Sequence, residues 1–478
     1  MRFDTVIIGA GSAGAVLASR LSQVVNNQVL LVEAGPDLSA SHTPDSISGS
    51  SFFAALDEPG RTYPNLVACH TAGASPKPYQ RGRGVGGSSV VNAMIGMWGV
   101  PDDYDRWERE LGCAGWSWRD VAPVFARLLV PLERPSAEEL GAVDRALVQA
   151  ARELGHAACP DYLQPGALGV GSAWLTRSGG RRASVNDAYL DPARGRANLS
   201  VRTDTVVDRV LFEGRRAVGV CLADGEVIEA AEVIVSAGAI HSPAVLLRSG
   251  VDRPGVGRGL KDHVSARVAL LLTNEARASS SDLACGALLR WSSLAGNADL
   301  QLLSLNHLGA SPDGAGLGVL MAAAMSVRSE GLVSLDSDNP FIDPIVQFNM
   351  LSDEHDRTIM REAARHMVEL VNTEPFRRIC DAAFIDEIGT TIAAVPDDDI
   401  AFDAWLKANV GDYVHASSSC RMGQIDDDNA VVDEDCRVHG YQGLRVCDAS
   451  VFADLPRANT HLPTVMVAER IAERIMLA

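Results

Sequence analysis

From Thr5 to Ile8 the chain runs apolar and β-branched, and from Ala13 to Leu21 small and apolar residues follow in a helical pattern. Between them lies Gly9-Ala10-Gly11-Ser12-Ala13-Gly14, and Gln28 to Val32 forms a second buried strand that ends in Glu33-Ala34-Gly35-Pro36. Strand, tight turn, helix and strand within about 30 residues is the parallel crossover unit. Residues 37–80 show no clean period and many Ser, Pro and Gly, which predicts long surface segments. Trp107 to Leu129 reads as helix broken near Gly115 and Pro123, and Val201 to Val210 and Arg216 to Cys221 read as strands around a turn at Glu213-Gly214. Glu232 to Ser236 is a further buried strand, with a helix expected after Ser242-Pro243. From about 265 to 350 apolar strands such as Val268 to Leu272 and Leu300 to Leu305 alternate with polar turns. Arg357 to Val371 is an amphipathic helix, and Pro463 to Leu477 is a terminal helix with Val465, Val467, Ile471 and Ile475 on or near one face.

This pattern predicts an α/β, Rossmann-like dinucleotide-binding domain contributed by both ends of the chain, with an inserted α+β domain built on an antiparallel sheet. Length agrees, since 478 residues exceed what one core normally holds.

Charge and cysteine usage narrow the function. A net charge of −19 argues against nucleic acid and against tight adsorption to anionic lipid. Nine scattered cysteines with no C-x-x-C pair favour neither structural zinc nor a disulfide framework. The N-terminal Met1-Arg2-Phe3-Asp4 leads straight into a strand, and the longest apolar run, Leu317 to Val327, is about half of what a membrane span needs. A cytoplasmic protein without a membrane span is expected, and no metal site is. The acidic run Asp426-Asp427-Asp428 lacks calcium-loop spacing and reads as a solvated loop.

Gly9, Gly11 and Gly14 stand in G-x-G-x-x-G register between strand and helix. The first glycine permits the tight turn, the second admits a pyrophosphate, and the third allows close helix packing. The helix start offers N–H groups and a positive dipole end, with Ser12 and Ala13 beside it. Glu33, followed by Ala34, is placed to bond the ribose hydroxyls of a dinucleotide, and its charge would repel a 2′-phosphate. NAD and FAD both remain open at this point.

A second glycine stretch, Arg81-Gly82-Arg83-Gly84-Val85-Gly86-Gly87-Ser88-Ser89-Val90-Val91-Asn92, resembles the signature of the glucose–methanol–choline (GMC) oxidoreductases. Four further stretches resemble that family in order: Ser236 to Pro243, Pro254 to His263, His415 to Gly423, and Gly443 to Ser450 with Asn459 to Thr464. The resemblance covers both ends of the chain and little of residues 270–400. It implies non-covalent FAD as the cofactor, because Val91 stands where some relatives carry a flavin-linking His. It places Arg83, Gly86, Gly87, Ser88 and Asn92 on the flavin and pyrophosphate, Val207 on the adenine side, and Ala237, Gly238, Asp448, Ala449, Pro463 and Thr464 along the rest of the cofactor. His415 and His461 occupy the places of the family's catalytic pair, with His415 as general base and His461 orienting the substrate oxygen. His241 and His263 are expected to be structural, and Cys420 a packing residue.

The family pattern further implies segments 1–155, 186–264 and 411–478 for the FAD-binding domain, and 156–185 and 265–410 for the substrate domain. It departs from the pattern at one telling place, where H-P-x-G-T-C-R-M-G becomes His415-Ala416-Ser417-Ser418-Ser419-Cys420-Arg421-Met422-Gly423. That segment and the short chain are similar to the mycofactocin-associated branch of the family. The implied activity is oxidation of a small-molecule alcohol, or of a reduced redox cofactor, to the carbonyl. A dehydrogenase passing electrons to a quinone or redox protein is expected; an oxidase using O2 and making H2O2, or a flavin-containing hydroxynitrile lyase, is the alternative.

Overall fold

The computed structural model describes residues 2–309, 312–396 and 398–477. Met1, in the N-terminal run read above, lies outside them. A seven-stranded mixed sheet carries the crossover unit. Arg2–Ile8 pairs in parallel with Val29–Val32 on one side and with Val227–Val235 on the other. Leu199–Arg202 extends this sheet beside Val29–Val32. The long Val227–Val235 strand has two further neighbours. Its first residues pair antiparallel with Arg216–Leu222, and its last ones in parallel with Leu444–Val446, so a C-terminal strand completes a sheet begun at the N-terminus. The helices Gly14–Leu21 and His461–Leu477 pack on each other, tied by the Arg20–Glu469 ion pair at 2.7 Å.

The inserted layer is a six-stranded sheet in which every pairing is antiparallel: Cys380–Phe384, Val264–Leu272, Leu317–Ala324, Leu300–Leu305, Ala287–Trp291 and Gly169–Ser172. The apolar run at 317–327 is its central strand, buried on both faces, and this accounts for the absence of alternation there. The fold class read from the sequence is therefore the one observed. No helix among the described residues is long and apolar enough to cross a membrane.

Several element expectations need correction. The strand expected over Val201 to Val210 is two strands, Leu199–Arg202 and Val207–Glu213, separated where Asp204 turns with φ +50° and bonds the Gly35 carbonyl. The helix expected after Ser242-Pro243 begins at Gly238, with that dipeptide inside it. Proline there frees the carbonyl four residues back, and the Ser419 hydroxyl donates to that Ala239 oxygen at 2.5 Å, so the freed acceptor is satisfied. Trp107 to Leu129 resolves into Pro101–Arg109 and Trp118–Phe125; the break holds Gly112 and Gly115, whereas Pro123 sits inside the second helix. Residues 37–80 are not merely surface. They contain the short helices Asp45–Ser48 and Phe52–Leu56, and they bury Leu38, Ile47, Leu66 and Tyr79. Finally, the Ala142–Glu153 helix packs on the antiparallel sheet.

Candidate active site

The glycine turn after Arg2–Ile8 is packed to contact. Gly9 has φ +100°, and a Cβ there would stand 2.5 Å from the Ser236 carbonyl oxygen. A Cβ on Gly14 would meet the Gly9 carbonyl, as the close-packing role requires. The second glycine loop lies directly over the first. The Gly86 N–H donates to the Ala10 carbonyl at 2.9 Å, and a Cβ on Gly87 would stand 2.7 Å from the Gly11 Cα. Two backbones thus frame one cradle, and the second loop tolerates no side chain at Gly87, where it crosses the first.

Glu33 joins the two loops. Its carboxylate accepts the N–H of Ala10 at 2.7 Å, of Gly35 at 2.9 Å and of Gly84 at 2.9 Å. The sequence pointed to a ribose ligand; the structure adds a clasp between the N-terminal turn and the loop some seventy residues later.

A cavity of about 1680 Å³ opens from this cradle, larger than the roughly 300–1,000 Å³ of a typical small-ligand pocket. Gly9, Gly11, Ser12, Ala13, Glu33, Ala34, Arg83, Gly87, Ser88, Asn92, Val207, Ala237, Gly238, Asp448, Ala449 and Thr464 all line it, together with His415 and His461. Three expected cofactor residues do not. Gly14 and Gly86 serve packing and turn geometry, and Pro463 is buried in the first turn of the last helix. The Asp448 carboxylate is engaged by the Gly238 N–H at 2.8 Å and the Ser242 hydroxyl at 2.5 Å, so it holds a helix start against the cavity wall. Volume and bare glycine crossings both suit FAD, with space left beyond the cradle for a substrate.

The two expected histidines meet in this space by different routes. His461 opens the terminal helix; its Nδ1 lies 3.1 Å from the Ser12 hydroxyl, and its Nε2 is buried without a partner. His415 follows a left-handed Val414 at φ +55°. Its backbone N–H donates to Asp262 at 2.8 Å, while the Tyr79 hydroxyl donates to the other oxygen of that carboxylate at 2.7 Å. The His415 ring has Nδ1 2.9 Å from His263 Nδ1 and Nε2 3.4 Å from the Asn459 amide nitrogen.

Sequence reasoning missed the places of Asp262, His263 (read as structural), Asn459 and Arg182 in the site. The first three stood inside motifs already noticed, but spacing alone does not reveal that they touch His415. Arg182 carried no motif. It is buried, donates to the Asn92 side chain at 2.8 Å, and has no carboxylate partner among the described residues.

Burial sets the charge of the imidazoles. It pushes His263 down to about 3, and burial followed by the Arg182 guanidinium pushes His461 down to about 4. Burial, then His263 and Arg81, holds His415 well below the ordinary imidazole value. All three are neutral at pH 7, as a proton acceptor must be. In the unfolded chain each takes a proton near pH 6.5, so stability is complete above that pH and falls as pH drops toward 4. The expected slope is about 1.4 kcal/mol per pH unit for each histidine. Melting temperature followed from pH 7 to 4.5 checks this; a flat curve would contradict neutral burial.

Where the family motif has glycine, Ser418 takes φ +65°. A left-handed serine costs about 1–2 kcal/mol. Ser418→Gly is therefore expected to stabilise the protein by about 1 kcal/mol, read as a rise in denaturation midpoint. Cys420 is fully buried and burial pushes its thiol up, which suits packing and not nucleophilic chemistry.

A dinucleotide cradle that opens onto neutral imidazoles defines a cofactor-dependent oxidoreductase. Family comparison makes this specific: the GMC oxidoreductase models match residues 3–265 and 327–468, and the chain belongs to that family. It is an FAD-dependent oxidoreductase acting on CH–OH groups. The chain is 34% identical to 5-(hydroxymethyl)furfural oxidase of Methylovorus sp. (strain MP688), over 99% of this chain and 98% of that protein. It is 30% identical to glucose dehydrogenase [FAD, quinone] of Drosophila pseudoobscura pseudoobscura, over 98% and 86%. Among solved structures, pyridoxine 4-oxidase from Mesorbium loti superposes with a TM-score of 0.89 at 25% identity, covering 100% of this chain and 99% of that one.

Proposed function

We propose that the protein oxidises a primary alcohol carried on an apolar or aromatic ring, with His415 Nε2 taking the hydroxyl proton and His461 Nε2 orienting the oxygen. The observation that carries this reading is the bond between His415 and His263, since a general base held by an orienting partner is the usual arrangement of a poised proton acceptor. Bound non-covalently, FAD would supply the hydride acceptor. Beyond the cradle one face of the antiparallel sheet lines the cavity, apolar at Ala269, Leu303, Leu305, Val319 and Met321 with Arg267 beside them, which suits an apolar ring that bears a polar group. The furfural and pyridoxine alcohols named for two of the similar proteins are of this kind.

For the electron acceptor we propose a quinone, a redox protein or a mycofactocin-type cofactor, in a cytoplasmic setting. The oxidase reading is favoured by the names of the furfural and pyridoxine enzymes. The domain proposal is the five-segment division above, with the Ala142–Glu153 helix moved to the substrate domain.

One experiment separates these readings. Anaerobic mixing of the holoenzyme with a ring-bearing primary alcohol should bleach the flavin, and acid should release that flavin intact. Bleaching followed by slow recovery in air and fast recovery with a quinone dye supports the dehydrogenase. Rapid stoichiometric peroxide supports the oxidase. If cyanohydrin is cleaved and no alcohol tested bleaches the flavin, the lyase replaces both.

A further inference from the structure

His263 and His415 are both buried, and they face each other Nδ1 to Nδ1 at 2.9 Å with their rings nearly perpendicular, at 86°. A neutral imidazole has one N–H and one lone pair, so one Nδ1 must donate and the other accept. The outer nitrogen of His415 decides which. His415 Nε2 faces the Asn459 amide nitrogen, a donor, at 3.4 Å, and it must keep its lone pair if His415 is the base. The Asn459 side-chain oxygen accepts from the Gln301 amide at 3.2 Å. His263 Nε2 is buried without a hydrogen-bond partner, so no donor there competes with a proton on that nitrogen. In this arrangement His415 carries its proton on Nδ1 and His263 Nδ1 presents the lone pair that accepts it.

We propose that His263 is a positioning residue for alcohol oxidation, locking His415 in the Nδ1–H tautomer and supporting the imidazolium that forms there. The proposal rests on the reading of His415 as the base. In the step concerned the alcohol O–H bond breaks and its proton joins His415 Nε2. The Nδ1–H remains on His415 and strengthens its bond to His263 Nδ1, so the new positive charge meets a lone pair in a buried site. The same job is done by a carboxylate in the serine-hydrolase triad; here a neutral ring does it. The surroundings of His263 fit. Tyr413 packs edge-on against it with ring centroids 6.3 Å apart, and Arg290 and Asp454 are the charged groups that act on it, with no carboxylate in hydrogen-bond contact. With the other orientation of these protons, His415 Nε2 would carry hydrogen and could not accept one.

The test compares His263→Asn with His263→Leu, two side chains of equal shape of which only Asn has an oxygen that can accept from His415 Nδ1. His263→Leu is expected to slow anaerobic flavin reduction roughly 10–100-fold with flavin content unchanged, and His263→Asn to recover most of that loss. The deficit should shrink as pH rises, as for loss of a base, because an alcohol that is already ionised needs none. The double variant His263→Leu/His415→Ala should be no slower than His415→Ala alone, since the two act as one unit. Independently of turnover, a downfield, exchange-protected imidazole proton should be visible by NMR in the flavin-free protein and vanish in both His263→Leu and His415→Ala. If His263→Leu lost its flavin, His263→Asn would decide: a rate within tenfold of the parent supports the proposal, and a pH-independent loss beyond a hundredfold overturns it. Multiplying deficits in the double variant, or a His263→Leu rate within threefold of the parent, also overturn it. A His415→Ala variant that reduced flavin normally would instead sink the base assignment beneath it.

Discussion

Glu33→Ala is expected to cost the protein both cofactor and fold. The carboxylate accepts three backbone N–H groups from three separate turns, and alanine leaves all three in a buried pocket without a partner. Charge-assisted bonds of this kind are worth about 1.5–3 kcal/mol each, and partial relief by entering water makes a total of roughly 3–6 kcal/mol reasonable. That is a large fraction of the about 5–15 kcal/mol that holds a folded protein together. The variant should therefore melt well below the parent even as flavin-free protein, and FAD titration should show weaker binding in addition. Glu33→Gln should be less damaging, since its carbonyl oxygen still accepts, but its amide would face an N–H and so cannot restore the parent. If flavin-free Glu33→Ala melted like the parent while FAD binding weakened, the residue would be a ribose ligand alone.

The contrast between what was legible in the sequence and what was not follows the range of the interactions. The turn at Gly9 to Gly14 and the strand before it are local, and period and glycine spacing announce them. The role of Glu33 as a clasp was invisible, because one of its partners is Gly84, and nothing in the sequence says that the second loop lies on the first. The helix beginning at Gly238 was missed for a similar reason: Pro243 is an ordinary stop signal until Ser419 arrives from the far end of the chain to take the freed carbonyl. Residues 37–80 lacked a period because they form short pieces packed on a cavity wall, where no single face is buried over many turns. At the site, His415 and His461 were named by motif context. Their partners Asp262 and Arg182 were not, and His263 was read as structural, since each acts through contact and not through spacing.

His415→Ala is expected to leave folding and FAD binding nearly intact and to damage the chemistry. The cradle proposed to hold the dinucleotide is built from the glycine loops and Glu33, whereas His415 lines the same cavity from a segment bonded to Asp262 through its backbone, which alanine retains. Removing a general base slows the proton-dependent step by roughly 10²–10⁴-fold, or about 3–5.5 kcal/mol of barrier. The loss should appear in anaerobic flavin reduction, and not only in reoxidation. It should shrink at high pH, where the alcohol is ionised without help. The parent, by contrast, should show no acid limb near pH 6.5, since burial with His263 and Arg81 keeps the His415 imidazole neutral well below that pH. His461→Ala should be milder, because His461 is expected only to orient the oxygen. His461→Asn should recover part of its rate, since an amide can also hold an alkoxide. Each variant is checked for flavin content before rates are compared. A larger loss from His461→Ala would exchange the two roles, and if neither alanine slowed flavin reduction tenfold, the paired-imidazole mechanism would be excluded.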